Sequence, residues 1–239
     1  MRAGSLFSGV GGMDLGLERA GWRIAWQVEI DPHCSRVLER HWPDVPRFND
    51  VRSVGPADLA PVDLIAGGFP CQDVSYAGHG AGLDGDRSGL WWEFARIIRE
   101  MGPRFVLVEN VPGLLDRGMG DVLGTLSDLG YDAEWSLVSA CSVGATHTRQ
   151  RLFIVAHSNR IDGRQGVRHT VARAFRPLQE VGDFASARAG ALSRLADPSA
   201  LYGGADGIPD GPQRNRAIGN AVAPDVAEWI GRRLLEATA

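Results

Sequence analysis

Short apolar runs alternate with segments of helical periodicity through the first 156 residues of this 239-residue chain, and this order restricts the fold more than any other feature. Strands separated by helices are typical of βαβ units, so the pattern predicts an α/β fold, a mainly parallel sheet with helices on both faces. The predicted strands are 3–7, 23–29, 47–48 (the weakest), 62–66, 104–109, 133–139 and 151–156. The predicted helices are 13–20, 32–41, 90–101, 119–129 and 222–237.

The regular alternation ends after residue 156. Residues 157–206 are rich in Arg, Ala and Gly and have little periodicity. This predicts either a small inserted module or a loop that orders when it binds a partner. Apolar residues at helical spacing return in 222–237 and predict a helix with one face packed on a core. We therefore expect one main domain, formed by 1–156 and 207–239, with a short inserted region at 157–206.

Composition excludes several classes of protein. No apolar stretch approaches the roughly 20 residues that a membrane span needs, and the N-terminus lacks the pattern of a secretion signal, so we expect a soluble, cytoplasmic protein without membrane contact. The three cysteines, Cys34, Cys71 and Cys141, are odd in number and lack metal-ligand spacing. They predict neither a disulfide framework nor a zinc site, and leave chemistry at a free thiol open.

The charge of the chain is unevenly distributed. All 25 basic residues are arginine, and the net charge is −4. From Arg149 onward there are 13 arginines and 9 acidic residues, and before it 12 and 20, which gives charges of +4 and −8. A positive field in the C-terminal part would suit a nucleic-acid partner, because arginine binds phosphates and base edges well. Chance clustering on a solvated face explains the asymmetry equally well.

A single cysteine follows one of the predicted strands. The segment Gly67-Gly68-Phe69-Pro70-Cys71-Gln72 comes directly after the apolar run 62–66. Cys71 is therefore expected at the mouth of a buried strand, in a glycine-rich turn where the backbone can approach a ligand closely. This position is typical of a nucleophile and unusual for a structural cysteine.

Residues after the first three strands outline a nucleoside pocket. The glycine-rich turn 6–14 links the first strand to the first helix, but Asp14 stands where the dinucleotide fingerprint has its third glycine. Glu29 ends the second strand, where a carboxylate can accept from both ribose hydroxyls, and Asp50 could accept from an adenine amino group. Each feature has a simpler reading, a structural turn or a solvated strand end. Together they predict an adenosine pocket without a phosphate clamp.

Further candidates for chemistry follow later strands. Glu109 lies at the end of an apolar strand, where partial burial should raise its pKa and suit it to donate a proton near neutral pH. Arg149 and Arg151 have the i, i+2 spacing that puts two side chains on one side of an extended segment. Asn220 precedes the last helix and offers both a donor and an acceptor. The alternatives are a turn cap for Glu109, surface positions for the arginines and a helix cap for Asn220.

In this order, these segments closely resemble the C5-cytosine DNA methyltransferases of bacteria and phages. The resemblance rests on Phe-x-Gly-x-Gly-Gly, Gly-Gly-Phe-Pro-Cys-Gln, Glu-Asn-Val, Arg-x-Arg and Gly-Asn-Ala-Val, and it spans 3–156 and about 207–235. It implies a Rossmann-like fold that uses S-adenosyl-L-methionine, with S-adenosyl-L-homocysteine as product and no metal. It also implies a double-stranded DNA substrate, DNA protection or pairing with a cognate restriction endonuclease, and a monomeric enzyme.

The resemblance also assigns roles to individual residues. Cys71 would be the nucleophile, Glu109 the acid at the cytosine ring, and Arg149 and Arg151 supports for the base and the active-site loop. Glu29 would bind the ribose and Asp50 the adenine. The remaining cofactor-binding residues implied are Phe7, Gly9, Gly11, Gly12, Ile30, Val51, Pro70, Leu90, Asn220 and Val222.

Three departures from the family pattern limit what can be carried over. Ile30 replaces the usual aromatic residue after the ribose-binding acid, which should weaken stacking on the adenine. His147 replaces a frequent glutamine before Arg149. The variable target-recognition region has only about fifty residues, against a hundred or more in most of the family, so the choice of DNA sequence is undetermined.

Three other functions compete with this reading. A regulator that has lost catalysis would show a damaged Cys, Glu or Arg position, and all of these are intact. A tRNA-methylating relative would usually carry a Cys-Phe-Thr motif, which does not occur in this chain. A nicotinamide oxidoreductase is disfavoured by Asp14 in the broken fingerprint.

Overall fold

A computed structural model describes residues 1–70, 90–143, 149–159 and 221–238. Seven strands form one sheet. They are β1 (Arg2–Leu6), β2 (Arg23–Val28), β3 (Arg47–Phe48), β4 (Leu64–Gly67), β5 (Phe105–Asn110), β6 (Tyr131–Ser139) and β7 (Gln150–Ser158). The described helices are α1 (Gly12–Ala20), α2 (Pro32–His41), α3 (Leu90–Met101), α4 (Met119–Asp128) and α5 (Pro224–Glu236). Within the described residues, short 3₁₀ helices occupy Val51–Ser53, Pro112–Leu115 and Ala140–Val143.

The order of strands in the sheet is β3-β2-β1-β4-β5-β7-β6. The pairs among β1 to β5 are parallel, whereas β7 pairs antiparallel with both β5 and β6. The chain builds β2 and β3 on one side of β1 and then crosses to β4 on the other side. In open α/β sheets, ligands bind at such a switch point, beyond the carboxyl ends of the strands. The predicted α/β class with a mainly parallel sheet is therefore confirmed.

Two apolar layers cover the two faces of the sheet. Alternate residues of β5 show the division, because Val106 and Val108 belong to one buried cluster and Phe105 and Leu107 to the other. Side chains of α3 and α4 fill the first layer, and those of α1 and α5 fill the second. Burial on both faces explains why β5 has a continuous apolar run instead of an alternating pattern.

The last helix returns to the N-terminal part of the chain. α5 packs on α1 so closely that a Cβ at Gly16 would meet Pro224 and Ala227, and one at Gly231 would meet Ala20. The Trp22 indole Nε1 donates to the Gly231 carbonyl at 2.9 Å. α5 begins two residues later than predicted, at Pro224, since proline suits the first turn of a helix and Ala223, the residue before it, has an extended backbone. Val222 therefore lies in the approach to α5, above the turn that begins α1.

Candidate active site at the carboxyl edge of the sheet

The turn between β1 and α1 has a left-handed backbone at several positions. Phe7 has φ 54°, an unusual value for a residue with a side chain, and Gly9 and Gly11 have φ 56° and 84°. A Cβ at Gly9 would meet nothing within 4 Å, so glycine is required there by the backbone conformation. Strain of the kind held at Phe7 tends to occur at ligand sites.

At Gly11 and Gly12, at the end of this turn, neighbouring protein groups leave no room for a side chain. The Trp42 ring occupies the space where a Cβ of Gly11 would lie, and the Val222 carbonyl occupies that of Gly12. Close approach was expected from a ligand, whereas at these two positions the approaching groups belong to the protein. The contact at Gly12 brings the segment before α5 over the start of α1.

Glu29, directly after β2, binds the backbone of the turn between β1 and α1. Its Oε2 accepts from the Gly9 amide at 2.6 Å, and its Oε1 accepts from the Asp31 amide at 2.7 Å. Burial raises the pKa of Glu29, while the Asp31 and Gly9 amides lower it. A carboxylate has about four lone-pair sites. The Ile30 amide also lowers the pKa of this carboxyl group, and its two oxygens still retain acceptor capacity for hydroxyl groups of a ligand.

A cavity of about 630 Å³ opens at the carboxyl ends of β1, β2, β4 and β5. This volume lies within the range of roughly 300 to 1,000 Å³ that is typical of small-molecule sites. The predicted cofactor-binding residues that line it are Phe7, Gly9, Glu29, Ile30, Pro70 and Val222. Glu109 and Arg151 line it as well. The structure thus brings eight predicted site residues, from six separated segments, into one cavity.

Five other predicted cofactor-binding residues do not line this cavity: Gly11, Gly12, Asp50, Val51 and Leu90. The Asp50 carboxylate accepts from the Arg52 amide at 3.0 Å and lies 3.7 Å from the Arg52 guanidinium. It therefore caps the short helix that it precedes. Val51 is buried in the core, and Leu90, the first residue of α3, packs against that core. Cys71 and Asn220 lie outside the described residues.

Glu109 is buried at the end of β5, beside an arginine. β5 and β7 pair with Glu109 opposite Phe153, so Arg151 lies diagonally across on the same face. Its Nε is 3.0 Å from Glu109 Oε1, an ion pair that is not well directed as a hydrogen bond. Burial raises the pKa of Glu109 to about 7, and the charges of Arg151 and Arg149 limit the rise. Both protonation states are thus accessible near neutral pH, as general acid–base chemistry requires.

The segment before Cys71 contacts the end of β5. A Cβ at Gly68 would lie 2.6 Å from Glu109 Oε2, so the carboxyl group rests against the Gly68 backbone. The Asn110 amide donates to the Phe69 carbonyl at 3.2 Å, and its oxygen accepts from the Val111 amide at 2.8 Å. Sequence reasoning did not single out Gly68 or Asn110, although both stand inside quoted motifs. These contacts hold residues 67–70 beside Glu109.

Within ranges 1–70, 90–143, 149–159 and 221–238, no group of three or more His, Cys, Asp or Glu side chains could hold a metal ion. No helix in that same part of the chain has the length and apolar character to cross a membrane.

Comparison with known proteins places these features in a family. Residues 1–192 match the family described as C-5 cytosine-specific DNA methylase. The type II methyltransferase M.Eco47II of Escherichia coli is 42% identical over 164 residues, covering 64% of this chain and 39% of that protein. M2.BsuMI of Bacillus subtilis is 38% identical over 164 residues, covering 65% and 42%. The chain therefore spans about 40% of the length of these relatives.

Solved structures agree on the fold. The Entamoeba histolytica methyltransferase EhMeth superposes with a TM-score of 0.69 at 12% identity, covering 100% of this chain and 99% of that chain. A Spodoptera frugiperda DNMT2 variant superposes with a TM-score of 0.56 at 20% identity, covering 67% and 50%. At these identities the likeness concerns the fold, a Rossmann-like methyltransferase fold.

Proposed function

Because this chain belongs to the C-5 cytosine-specific DNA methylase family, we propose that it transfers a methyl group from S-adenosyl-L-methionine to carbon 5 of cytosine in double-stranded DNA. One observation carries the proposal beyond family membership. Glu109, with a pKa raised to about 7, opens into the same cavity as the strained turn at Phe7 and the amide-held carboxylate of Glu29. A nucleoside-binding end and a proton-donating end thus share one space.

The lining residues fit S-adenosyl-L-methionine. Glu29 retains acceptor capacity for the two ribose hydroxyls, and Phe7 and Ile30 offer apolar surface beside it. No triphosphate or pyrophosphate clamp is needed for this ligand, which agrees with the broken dinucleotide fingerprint at Asp14. When bound, the cofactor supplies an electrophilic methyl group and leaves as S-adenosyl-L-homocysteine. Gly11, Gly12, Asp50, Val51, Leu90 and Asn220 remain predictions as cofactor contacts.

The proposed reaction must first make carbon 5 of the cytosine more nucleophilic. Carbon 5 of an aromatic cytosine is a poor nucleophile. The Cys71 thiolate forms a bond to carbon 6, and Glu109 gives a proton to ring nitrogen 3, so the electrons of the carbon 5–carbon 6 bond become available at carbon 5. Pro70 lines the cavity immediately before Cys71 in the chain, which supports this role for the thiol.

The second half of the reaction restores the aromatic ring. After carbon 5 takes the methyl group, it loses its proton to a base, the sulfur–carbon 6 bond breaks, and the Cys71 thiolate leaves. Nitrogen 3 returns its proton to the Glu109 carboxylate. Arg151 holds Glu109 in place, and Arg149 adds positive charge at the same carboxyl group. These steps need no metal ion.

The proposed reaction also requires access to the target base and binding of the DNA backbone. A cytosine stacked in a duplex presents neither face to a thiol, so the proposal includes rotation of the base out of the helix. Residues 160–194 contain seven arginines and three acidic residues, a composition suited to backbone phosphates. The proposed setting is cytoplasmic DNA modification by a monomer, either paired with a restriction endonuclease or protecting phage or host DNA. The expected boundary after residue 156 falls inside β7, which ends at Ser158. The proposed target-recognition region is therefore 159–206, and the proposed catalytic domain is 1–158 with 207–239.

The test uses labelled methyl transfer with a matched pair of cysteine variants. The wild-type protein is expected to move tritiated methyl from S-adenosyl-L-methionine to carbon 5 of cytosine in duplex DNA, identified by nucleoside analysis. Cys71→Ser should abolish transfer, because the hydroxyl is a far weaker nucleophile. Cys141→Ser, at an exposed cysteine, should retain it. Transfer that survives in Cys71→Ser, or label found only in RNA or on an exocyclic nitrogen, would refute the proposal.

A further inference from the structure

Asp14 is a buried acid that the proposed reaction does not use. It lies in the first turn of α1 with no exposed surface. Its Oδ2 accepts from Gln27 Nε2 at 2.7 Å. Ser5 also acts on this carboxyl group, but Oδ1 has no hydrogen bond of good geometry within the part of the chain that the structure describes. A buried carboxyl group with an unsatisfied oxygen costs stability, so its presence calls for a functional reason.

The Asp14–Gln27 bond joins the same two segments that Glu29 joins. Gln27 lies on β2, two residues before Glu29, and Asp14 follows the glycine turn by two residues. Glu29 accepts from Gly9 at 2.6 Å, and the Ser8 amide donates to the Val28 carbonyl at 3.1 Å. The turn and the end of β2 are thus connected at the cavity surface by Glu29 and beneath it by Asp14.

The network under the cavity also reaches its wall. The Ser8 hydroxyl lies 2.8 Å from the Ser5 hydroxyl, and both residues line the cavity. Ser5 in turn stabilises the ionised form of Asp14. On the other side, Arg47 Nη1 lies 3.4 Å from Gln27 Oε1 and donates to the Trp42 carbonyl at 2.7 Å. Trp42 is the residue whose ring fills the space at Gly11.

We propose that Asp14 is a positioning residue for cofactor binding: through Gln27 it sets the distance between the Phe7–Gly12 turn and Glu29. The inference rests on the proposed use of S-adenosyl-L-methionine. The broken fingerprint then has a physical reason, because the third glycine position carries a carboxyl group that ties the start of α1 to β2. Asp14 acts through its neighbours and does not touch the ligand.

The ionisation of Asp14 gives a readout that separates positioning from mere packing. Burial raises its pKa to about 6, Ser5 and Gln27 oppose the rise, and the acidic groups acting on it are Glu18 on α1 and Glu29, directly after β2. A raised pKa means that the fold loses stability as pH rises from about 4 to 6, because the unfolded chain ionises first. Asp14→Asn removes that loss, so this variant should unfold at or above the wild-type temperature at pH 7.5.

The experiment measures the Kd for S-adenosyl-L-homocysteine by calorimetry and the unfolding temperature by circular dichroism. Asp14→Asn should weaken binding roughly tenfold at pH 7.5, the size expected when a hydrogen bond to a charged group becomes neutral. The swapped pair Asp14→Asn with Gln27→Glu should recover at least half of the lost binding free energy, because a carboxylate again faces an amide. Glu39→Gln, at an exposed acid of α2, is the control and should bind as wild type does.

Three outcomes would overturn the inference. They are a Kd for Asp14→Asn within twofold of wild type, a weakened Kd accompanied by a lower unfolding temperature, and a swapped pair that binds no better than the single variant. A wild-type protein that does not bind S-adenosyl-L-homocysteine would instead contradict the proposed function. The two failures are therefore distinguishable.

Discussion

Glu29 and Glu109 are the same residue type in similar places, yet their surroundings differ. Both are buried at the carboxyl end of a strand, and both line one cavity. Backbone amides hold Glu29 at 2.6 and 2.7 Å, whereas an arginine guanidinium approaches Glu109 at 3.0 Å without good direction. Well-directed amide donors stabilise a carboxylate that only accepts hydrogen bonds.

The surroundings of Glu109 have two opposing effects on its pKa. Burial raises the pKa of Glu109 to about 7, and two arginines keep it from rising further. A carboxyl group in this state can give and retake a proton, which suits the proposed acid at the cytosine ring. Burial is the largest influence on the pKa of both carboxyl groups, and the balance between burial and the opposing partners separates a binding role from a proton-transfer role.

The largest effect is expected at Glu109. Glu109→Gln keeps the shape but removes the proton donor, so the rate of methyl transfer should fall about 10²- to 10⁴-fold. The Kd for S-adenosyl-L-homocysteine should stay within about threefold of wild type. Single-turnover transfer with saturating DNA and calorimetry check the two parts. A variant that loses cofactor affinity as strongly as rate would remove the distinction between the two carboxyl groups.

The converse result is expected at Glu29. Glu29→Gln replaces one acceptor oxygen by a donor and disturbs both amide contacts, so the KM for S-adenosyl-L-methionine should rise about 10- to 100-fold. The single-turnover rate at saturating cofactor should change only a few fold. Initial rates over a range of cofactor concentrations separate KM from kcat. An unchanged KM together with a large loss of kcat would mean that Glu29 acts in the chemical step and not in cofactor binding.

A smaller effect is expected at the backbone that supports Glu109. In Gly68→Ala the new methyl group meets Glu109 Oε2, and the carboxyl group must move. We expect roughly a tenfold loss of transfer rate, since misplacement of a catalytic group by a fraction of an ångström is costly. Gly124→Ala in α4, where a Cβ meets nothing within 4 Å, is the matched control and should keep full activity. Equal rates in both variants would show that Gly68 does not position the acid.

The sequence predicted the elements of this fold well because burial leaves a periodic pattern. The structure has α2 with the predicted bounds, Pro32–His41, and α3 ends at the predicted residue, Met101. β7 runs from Gln150 to Ser158 instead of 151–156, since its length is determined by pairing with Tyr131–Ser139 of β6. The hydrophobic pattern of a strand does not show which strand it pairs with. The predicted ends of strands were therefore less accurate than the predicted ends of helices.

The candidate site was predictable where a residue follows a strand, and less so elsewhere. Glu29 and Glu109 line one cavity because parallel strands share one carboxyl edge. Arg151 lies at the same edge because it is near the start of β7, which runs antiparallel to β5. Asp50 also follows a strand, but its carboxylate caps the next short helix, a local contact that competes with any ligand. The roles of Trp42 at Gly11 and of Gln27 at Asp14 depend on long-range contacts that residue spacing does not reveal.

The smallest predicted effect concerns the pH at which the proposed acid stops working. Glu109 must be protonated to donate, so kcat/KM for DNA should fall as pH rises through about 7. The Arg151 charge favours the carboxylate, so Arg151→Gln should raise the pKa of Glu109 and move this alkaline limb to higher pH, by roughly one unit. Arg151→Lys keeps a positive charge and should move it less. A limb that stays in place or moves to lower pH in Arg151→Gln would mean that the ion pair does not control the proton on Glu109.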